Sequence, residues 1–220
     1  MNKSISSLHL EILDKKRQDL LKKLIPFANN FVLGGGTALA LQIAHRLSFD
    51  FDFFSQNEIQ KTMLENLKQA VDIKNIAVDT SSELTFFTKD DIKITFLHYQ
   101  FKPRFEIIKL ESGLSIFPVE EIALQKAYAI GRRGEYRDYF DLYTILKNGH
   151  ISFEEIIKGA KRVYRGAFDE KMLLTQLVYF NDISNFQIYP FSKTVMPQPE
   201  DVKNYFEKLI ITSLEIEKED

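Results

Sequence analysis

The sequence predicts an α+β domain over residues 1–117 followed by an all-helical domain over residues 118–220, and three observations carry that expectation. A short apolar run, Phe31-Val32-Leu33, enters the glycine triplet Gly34-Gly35-Gly36, as a buried strand entering a tight turn does. Further strand-like segments follow at Phe49 to Phe54, Thr85 to Phe87 and Ile92 to Leu97. From Pro118 onward the spacing of apolar residues becomes helical almost to the end.

Each element has a local reason. Leu8, Ile12, Leu20, Leu21, Leu24 and Ile25 lie close to helical spacing, so the first 25 residues read as an amphipathic helix that Pro26 interrupts. Thr37 to Leu47 is rich in Ala and Leu and reads as a helix with Thr37 as its cap. Phe49 to Phe54 alternates in part and reads as a strand, and Ile59 to Val71 as a helix. Thr85 to Phe87 and Ile92 to Leu97 form a predicted hairpin turned at Lys89-Asp90-Asp91. Phe105 to Leu110 suggests one more strand. Pro118 suits a first helical turn, and Gly149, Asn181 to Asn185 and Pro197-Gln198-Pro199 punctuate the helices after it.

Composition narrows the chemistry. The 220 residues include no cysteine, which excludes a disulfide framework, a thiolate metal site and a cysteine nucleophile, and fits a reducing cytoplasm. No stretch approaches the roughly 18 apolar residues of a membrane span. Residues 1–13 carry Glu11 among their leucines and do not read as a signal peptide. A net charge of −2 argues against a uniformly basic nucleic-acid binder. Lys126 to Arg165 holds nine Lys/Arg against five Asp/Glu, a local excess that either meets phosphates or forms a solvated helical face.

The informative segment is Gly34-Gly35-Gly36-Thr37, then twelve residues, then Asp50-Phe51-Asp52. Glycines admit an anion close to backbone N–H groups, and the N-terminus of the following helix presents unpaired donors and partial positive charge. A helix of about ten residues returns the chain to a neighbouring strand, where residues two apart share a face. Asp50 and Asp52 would then offer two hard oxygen ligands beside a phosphate cradle, a pattern suited to Mg²⁺ or Mn²⁺ shared with a nucleoside triphosphate. Carboxylates placed among Phe49, Phe51, Phe53 and Phe54 argue for a purpose, since unpaired buried charge is costly. The bland alternative is the polar face of an edge strand.

The stretch from Phe31 through Leu39, with His45-Arg46-Leu47-Ser48 leading into Phe49 to Phe54, resembles the AbiEii/AbiGii toxin family of the DNA polymerase β-like nucleotidyltransferase superfamily. Glu120 to Lys126, Arg137-Asp138-Tyr139-Phe140-Asp141-Leu142-Tyr143 and Leu177 to Asp182 resemble further family segments, so the likeness covers roughly residues 8 to 205. The resemblance implies a nucleotidyltransferase-fold mixed sheet with flanking helices and a C-terminal helical domain. It implies an NTP and a divalent metal, an RNA acceptor such as tRNA, and a cognate antitoxin. Carried over by position, Gly35, Gly36, Thr37 and Ser48 would bind phosphate, Asp50 and Asp52 metal, and Lys126 the triphosphate, with Asp138 or Asp141 completing the catalytic set. The family usually places a third carboxylate on a strand beside the acidic pair. The candidate strand, Ile92 to Leu97, offers Thr95 instead. Three functions therefore compete: nucleotidyl transfer to RNA, transfer to a protein or small molecule, and a catalytically weakened nucleotide-binding protein. Arg137 with Asp141 also fits a plain i,i+4 helix salt bridge.

Overall fold

The structure, a computed structural model, describes residues 8–191 and 196–216. The chain divides into two compact units, residues 1–118 and 119–220. The first unit is built as α1 (Lys15–Leu24), β1 (Val32–Gly34), α2 (Gly35–Ile43), β2 (Phe51–Ser55), α3 (Met63–Ala70), β3 (Ile73–Asp79), β4 (Glu83–Thr88), β5 (Lys93–His98), β6 (Ile108–Lys109) and β7 (Ser115–Ile116). Its seven strands form one mixed sheet in the order β3-β4-β5-β2-β1-β7-β6. The inner pair β1–β2 is antiparallel, and parallel pairs β2–β5 and β1–β7 flank it.

Period-two alternation decides what each sheet face carries. Phe51 and Phe53 of β2, Leu33 of β1, Ile94 and Phe96 of β5, and Leu84 and Phe86 of β4 have no exposed surface. Phe53 stacks on Phe96 with ring centroids 4.9 Å apart. Asp52 and Phe54 alternate with these residues, point to the other face and are half-buried. The apolar β2 core thus fixes which way Asp52 faces, because a one-residue slip would invert the strand.

Several boundaries depart from the sequence expectation. The first helix is not continuous from the N-terminus: Leu10–Ile12 form a single 3₁₀ turn, and α1 begins only at Lys15. The reason is Asp14, whose carboxylate accepts from the Arg17 N–H at 2.9 Å and caps a new helix. The part of that expectation on residues 1–7 lies outside the described residues. Helix α2 starts two residues before Thr37, with Gly34 at the cap position. Thr37 is therefore inside the helix, and its hydroxyl serves other partners. The same helix stops at Ile43, where Ala44 turns left-handed at φ 50°. Strand β3 had no sequence signal. It is an edge strand whose side chains are largely solvated, so it lacks the apolar alternation that marks a half-buried strand.

The second unit holds α4 (Val119–Ile130), α5 (Tyr136–Lys147), α6 (Phe153–Tyr164), α7 (Glu170–Val178) and α8 (Pro199–Ile216). Its core gathers Ile122, Leu124, Tyr139, Leu142, Ile156, Leu173 and Phe206, each without exposed surface. Tyr128 of α4 stacks on Tyr164 of α6 at 4.1 Å. Helix α6 begins with a capping box: Ser152 accepts from the Glu155 N–H at 3.2 Å, and the Glu155 carboxylate accepts from the Ser152 N–H at 3.2 Å. Ser152→Ala is expected to cost about 1 kcal/mol, read as a lower urea midpoint with an unchanged slope.

Candidate active site

The turn from β1 into α2 places the glycines against particular side chains. Gly35 has φ 64°, a left-handed conformation that side chains disfavour, and a Cβ there would lie 2.9 Å from Asp52 Oδ2. Asp52 pairs in register with Gly34 on β1. Its carboxylate therefore sits against the first residue of α2, where the helix end favours negative charge. Gly36 is constrained differently. A Cβ there would run into the Arg46 guanidinium and lie 3.3 Å from Ser48 Oγ. Gly36 thus admits a buried arginine.

The segment returning from α2 to β2 is not helical, and it is fastened at successive residues. Arg46 is 5% exposed and donates Nη1–H to the Leu47 carbonyl at 2.9 Å. The Thr37 hydroxyl donates to the Asp50 carbonyl and lies 2.8 Å from the Ser48 hydroxyl. A hydroxyl has one proton to give, so Thr37 shares it between these two acceptors. Arg17 of α1 donates Nε–H to the Phe49 carbonyl at 3.0 Å, and its guanidinium lies 4.9 Å from the Phe49 ring centroid. Thr37 and Ser48 thus hold the backbone of Asp50, and β2 holds Asp52. Asp50 itself immediately precedes the strand.

Sequence reading left Arg17 and Arg46 without a role. The signal for Arg46 was an arginine beside an Ala/Leu-rich helix. Arg17 looked like any residue on a solvated helical face, and no local pattern links it to Phe49.

Strand β5 lies parallel beside β2, and Asp52 pairs with Thr95. Thr95 is 4% exposed, and its hydroxyl has no hydrogen-bond partner among the described residues. The strand next to the acidic residue thus presents a buried, unanswered hydroxyl and no carboxylate at that position. Among the described residues, no three His, Asp or Glu side chains come together as a ready-made metal cage. Asp50 and Asp52 would offer hard oxygen ligands of the kind a divalent ion takes, and the Asp52 carboxylate lies against the glycine turn.

In the second unit, Lys126, Asp138 and Asp141 come together. The Lys126 ammonium lies 2.7 Å from Asp138 and 2.5 Å from Asp141, with side chains 6%, 2% and 0% exposed. Arg133 grips the same Asp138 carboxylate through Nε at 2.7 Å and Nη2 at 3.1 Å. Burial alone would raise the pKa of Asp138. The Lys126 ammonium and the Arg133 guanidinium more than offset it and hold the carboxyl below its usual range. Arg137 points elsewhere: it pairs with Glu135 at 3.4 Å and is half exposed, so the i,i+4 bridge to Asp141 does not form. Lys126 is buried, which removes it from any solvated basic face.

A strand, a glycine turn into a helix, and an acidic residue on the neighbouring strand of a mixed sheet define a nucleotidyltransferase fold. A putative nucleotidyltransferase from H. pylori matches over 94% of this chain and 99% of its own, at 20% identity and TM-score 0.52. MenT4, a nucleotidyltransferase toxin from Mycobacterium tuberculosis, matches over 91% of this chain and 85% of its own, at 16% identity and TM-score 0.51. At these identities the likeness concerns the fold. The family model for the nucleotidyl transferase AbiEii toxin of type IV toxin–antitoxin systems matches residues 19–210, and the chain belongs to that family of transferases. An uncharacterised protein of Aquifex aeolicus (strain VF5) is 30% identical over 208 residues, covering 92% of this chain and 98% of the relative. Among the described residues no helix is long and apolar enough to cross a membrane.

Two measurements test the packing of these clusters. Gly36→Ala is expected to destabilise the fold by about 1–3 kcal/mol by displacing the Arg46 guanidinium. In the double variant with Arg46→Ala the two costs should fall short of additive, and strict additivity would deny the contact. Lys126→Met leaves two buried carboxylates without their ammonium and is expected to cost about 3–5 kcal/mol near neutral pH. The folded pKa of Asp138 is depressed, so its stabilisation is full above the unfolded carboxylate value of about 4 and is lost as pH falls through the folded value. The difference between wild type and Lys126→Met should therefore narrow on acidification, followed by denaturant midpoints across pH.

Proposed function

We propose that this protein transfers a nucleotide from an NTP to an RNA acceptor such as tRNA, with Mg²⁺ or Mn²⁺ held by Asp50 and Asp52. The observation that carries the reading is the Asp52 carboxylate set against Gly35, at the first turn of α2, in a chain of the AbiEii family. In such a transfer the acceptor hydroxyl gives its proton to solvent as its oxygen attacks the α-phosphorus, the bond from that phosphorus to the α–β bridging oxygen breaks, and pyrophosphate leaves. Asp50 and Asp52 would hold the metal, whose charge would offset that of the phosphoryl oxygens. Gly35 and Gly36 carry no side chain at the start of α2, where backbone N–H groups would meet phosphate oxygens. Thr37 and Ser48 fix the backbone that carries Asp50.

Lys126, Asp138 and Asp141 enter the proposal as one cluster. Two of the three Lys126 donors already have carboxylate acceptors, so contact with a triphosphate uses the third or exchanges one. A carboxylate held ionised by two cations accepts a proton poorly, so Asp138 suits orientation of the ammonium better than general-base work. The family description supports a cognate antitoxin as partner, and the absence of cysteine fits action in the cytoplasm.

One observation favours a second reading. Thr95 stands beside Asp52 where a third carboxylate would serve as base, which suits a nucleotide-binding protein of weakened activity. Incubation with each radiolabelled NTP, total RNA and Mg²⁺ separates the readings. Labelled RNA supports the first, labelled protein supports transfer to a protein, and no label supports the second reading. Asp50→Ala and Asp52→Ala are each expected to lower transfer at least 100-fold, about 2.7 kcal/mol of transition-state stabilisation, at unchanged circular dichroism. Wild-type turnover by the double variant would refute the metal assignment.

A further inference from the structure

We propose that the outer edge of β3 is a docking strip for an extended acidic segment of a partner protein, which adds to the sheet as a further strand. The sheet closes its two ends differently. One end is β6, two residues long, and so short a strand gives an incoming chain almost nothing to pair with. The other end is β3, seven residues long and the longest strand of the sheet. Among the described residues no strand follows it, so no neighbour of its own sheet takes up its outer row of backbone N–H and C=O groups. Main-chain hydrogen bonds to such a row give strand addition its affinity, and pockets beside the row give it selectivity.

Such a pocket lies along β3. It is a cavity of about 340 Å³, lined by Ile73 and Ile76 and by Lys68, Lys74 and Lys89, with Asp72 as the one acid in its wall. That is the volume of about ten waters, which the side chains of an added strand would displace. Ile73 and Ile76 stand in register with Thr88 and Phe86 of β4. Phe86 has no exposed surface, yet Ile76 at the edge is 40% exposed. The three lysines pair with Glu65 at 2.7 Å, Asp91 at 2.6 Å and Asp72 at 3.4 Å, all of them exposed pairs. Exposed pairs hold weakly, so an incoming carboxylate can replace those partners. The same features disfavour a second copy of this chain. Pairing edge to edge would set these lysines against their own counterparts. The register shifts between Ile73 and Asn75 and between Ile76 and Val78 also break the straight line that two long identical strands need. A segment of about five residues, roughly 17 Å, avoids that conflict. Residues two apart share a face, so the fitting segment carries Asp or Glu two positions either side of an apolar residue.

The test titrates the full chain into a fluorescein-labelled, C-terminally amidated peptide, Glu-Thr-Ile-Thr-Glu, and follows fluorescence anisotropy. Two control peptides carry Lys in place of Glu, or N-methyl groups on the three central residues, which remove the N–H donors that a strand needs. Binding of the acidic peptide with Kd below about 1 mM, lost in both controls, supports the strip. Amide shifts in NMR should then centre on residues 73–79. The exposed double variant Lys74→Glu/Lys89→Glu should weaken binding about tenfold or more, at unchanged circular dichroism. Absence of binding by wild type would overturn the proposal, and so would amide shifts centred away from β3. Equal binding of the methylated peptide would exclude strand addition, and equal binding of the lysine peptide or by the double variant would exclude the acidic partner. Sedimentation velocity tests the remaining occupant: a dimer that Ile76→Glu converts to monomer would give the edge to a second copy and overturn the proposal.

Discussion

The close approach of Asp52 to Gly35 sets the terms for the first unit. A Cβ at residue 35 would lie 2.9 Å from Asp52 Oδ2, and the backbone there is left-handed at φ 64°, so this approach calls for the glycine. The approach also requires β1 and β2 to be neighbours in register, Gly34 opposite Asp52, and that register depends on Leu33, Phe51 and Phe53 filling the opposite face. The helix end then favours the carboxylate electrostatically. Core packing, strand register and site charge are thus a single arrangement, and the same residues that bury the sheet aim its acid.

The return from α2 to β2 shows how an irregular segment is made rigid. Residues 44–50 have no ladder of their own, yet Arg17, Thr37, Arg46 and Ser48 occupy their carbonyls and hydroxyls one after another. Two of these anchors are arginines, which present several donors on a planar head and can satisfy backbone acceptors while buried or half-buried. Gly36 is a glycine in part because one of those heads occupies the space beside it.

The second unit uses buried charge in a different manner. A lysine and two aspartates with almost no exposed surface form a cluster whose assembly costs desolvation of every member, and whose partial loss costs more than its absence. Such a network adds little net stability but specifies one arrangement of α4 against α5. It also favours the ionised form of Asp138, because the Lys126 ammonium and the Arg133 guanidinium outweigh the effect of burial.

What the sequence by itself determined was the strand, glycine turn, helix and strand of the key segment and the residue types it carries. The glycine triplet, the spacing to Asp50 and Asp52, and the change to helical periodicity at Pro118 are local, and local preferences act through neighbouring residues. The resemblance to the AbiEii family was legible for the same reason, in contiguous motifs. Tertiary structure alone decided the rest. Asp14 cut the first helix short, Thr37 turned from cap to strap, and β3 formed as a solvated edge without any apolar signature. Thr95 became the neighbour of Asp52, Arg17 reached Phe49, and Lys126 found two aspartates 12 and 15 residues away. Each of these is a contact between residues that the chain separates. Its energy depends on register, burial and the direction of a side chain, and none of those is fixed until the elements have packed.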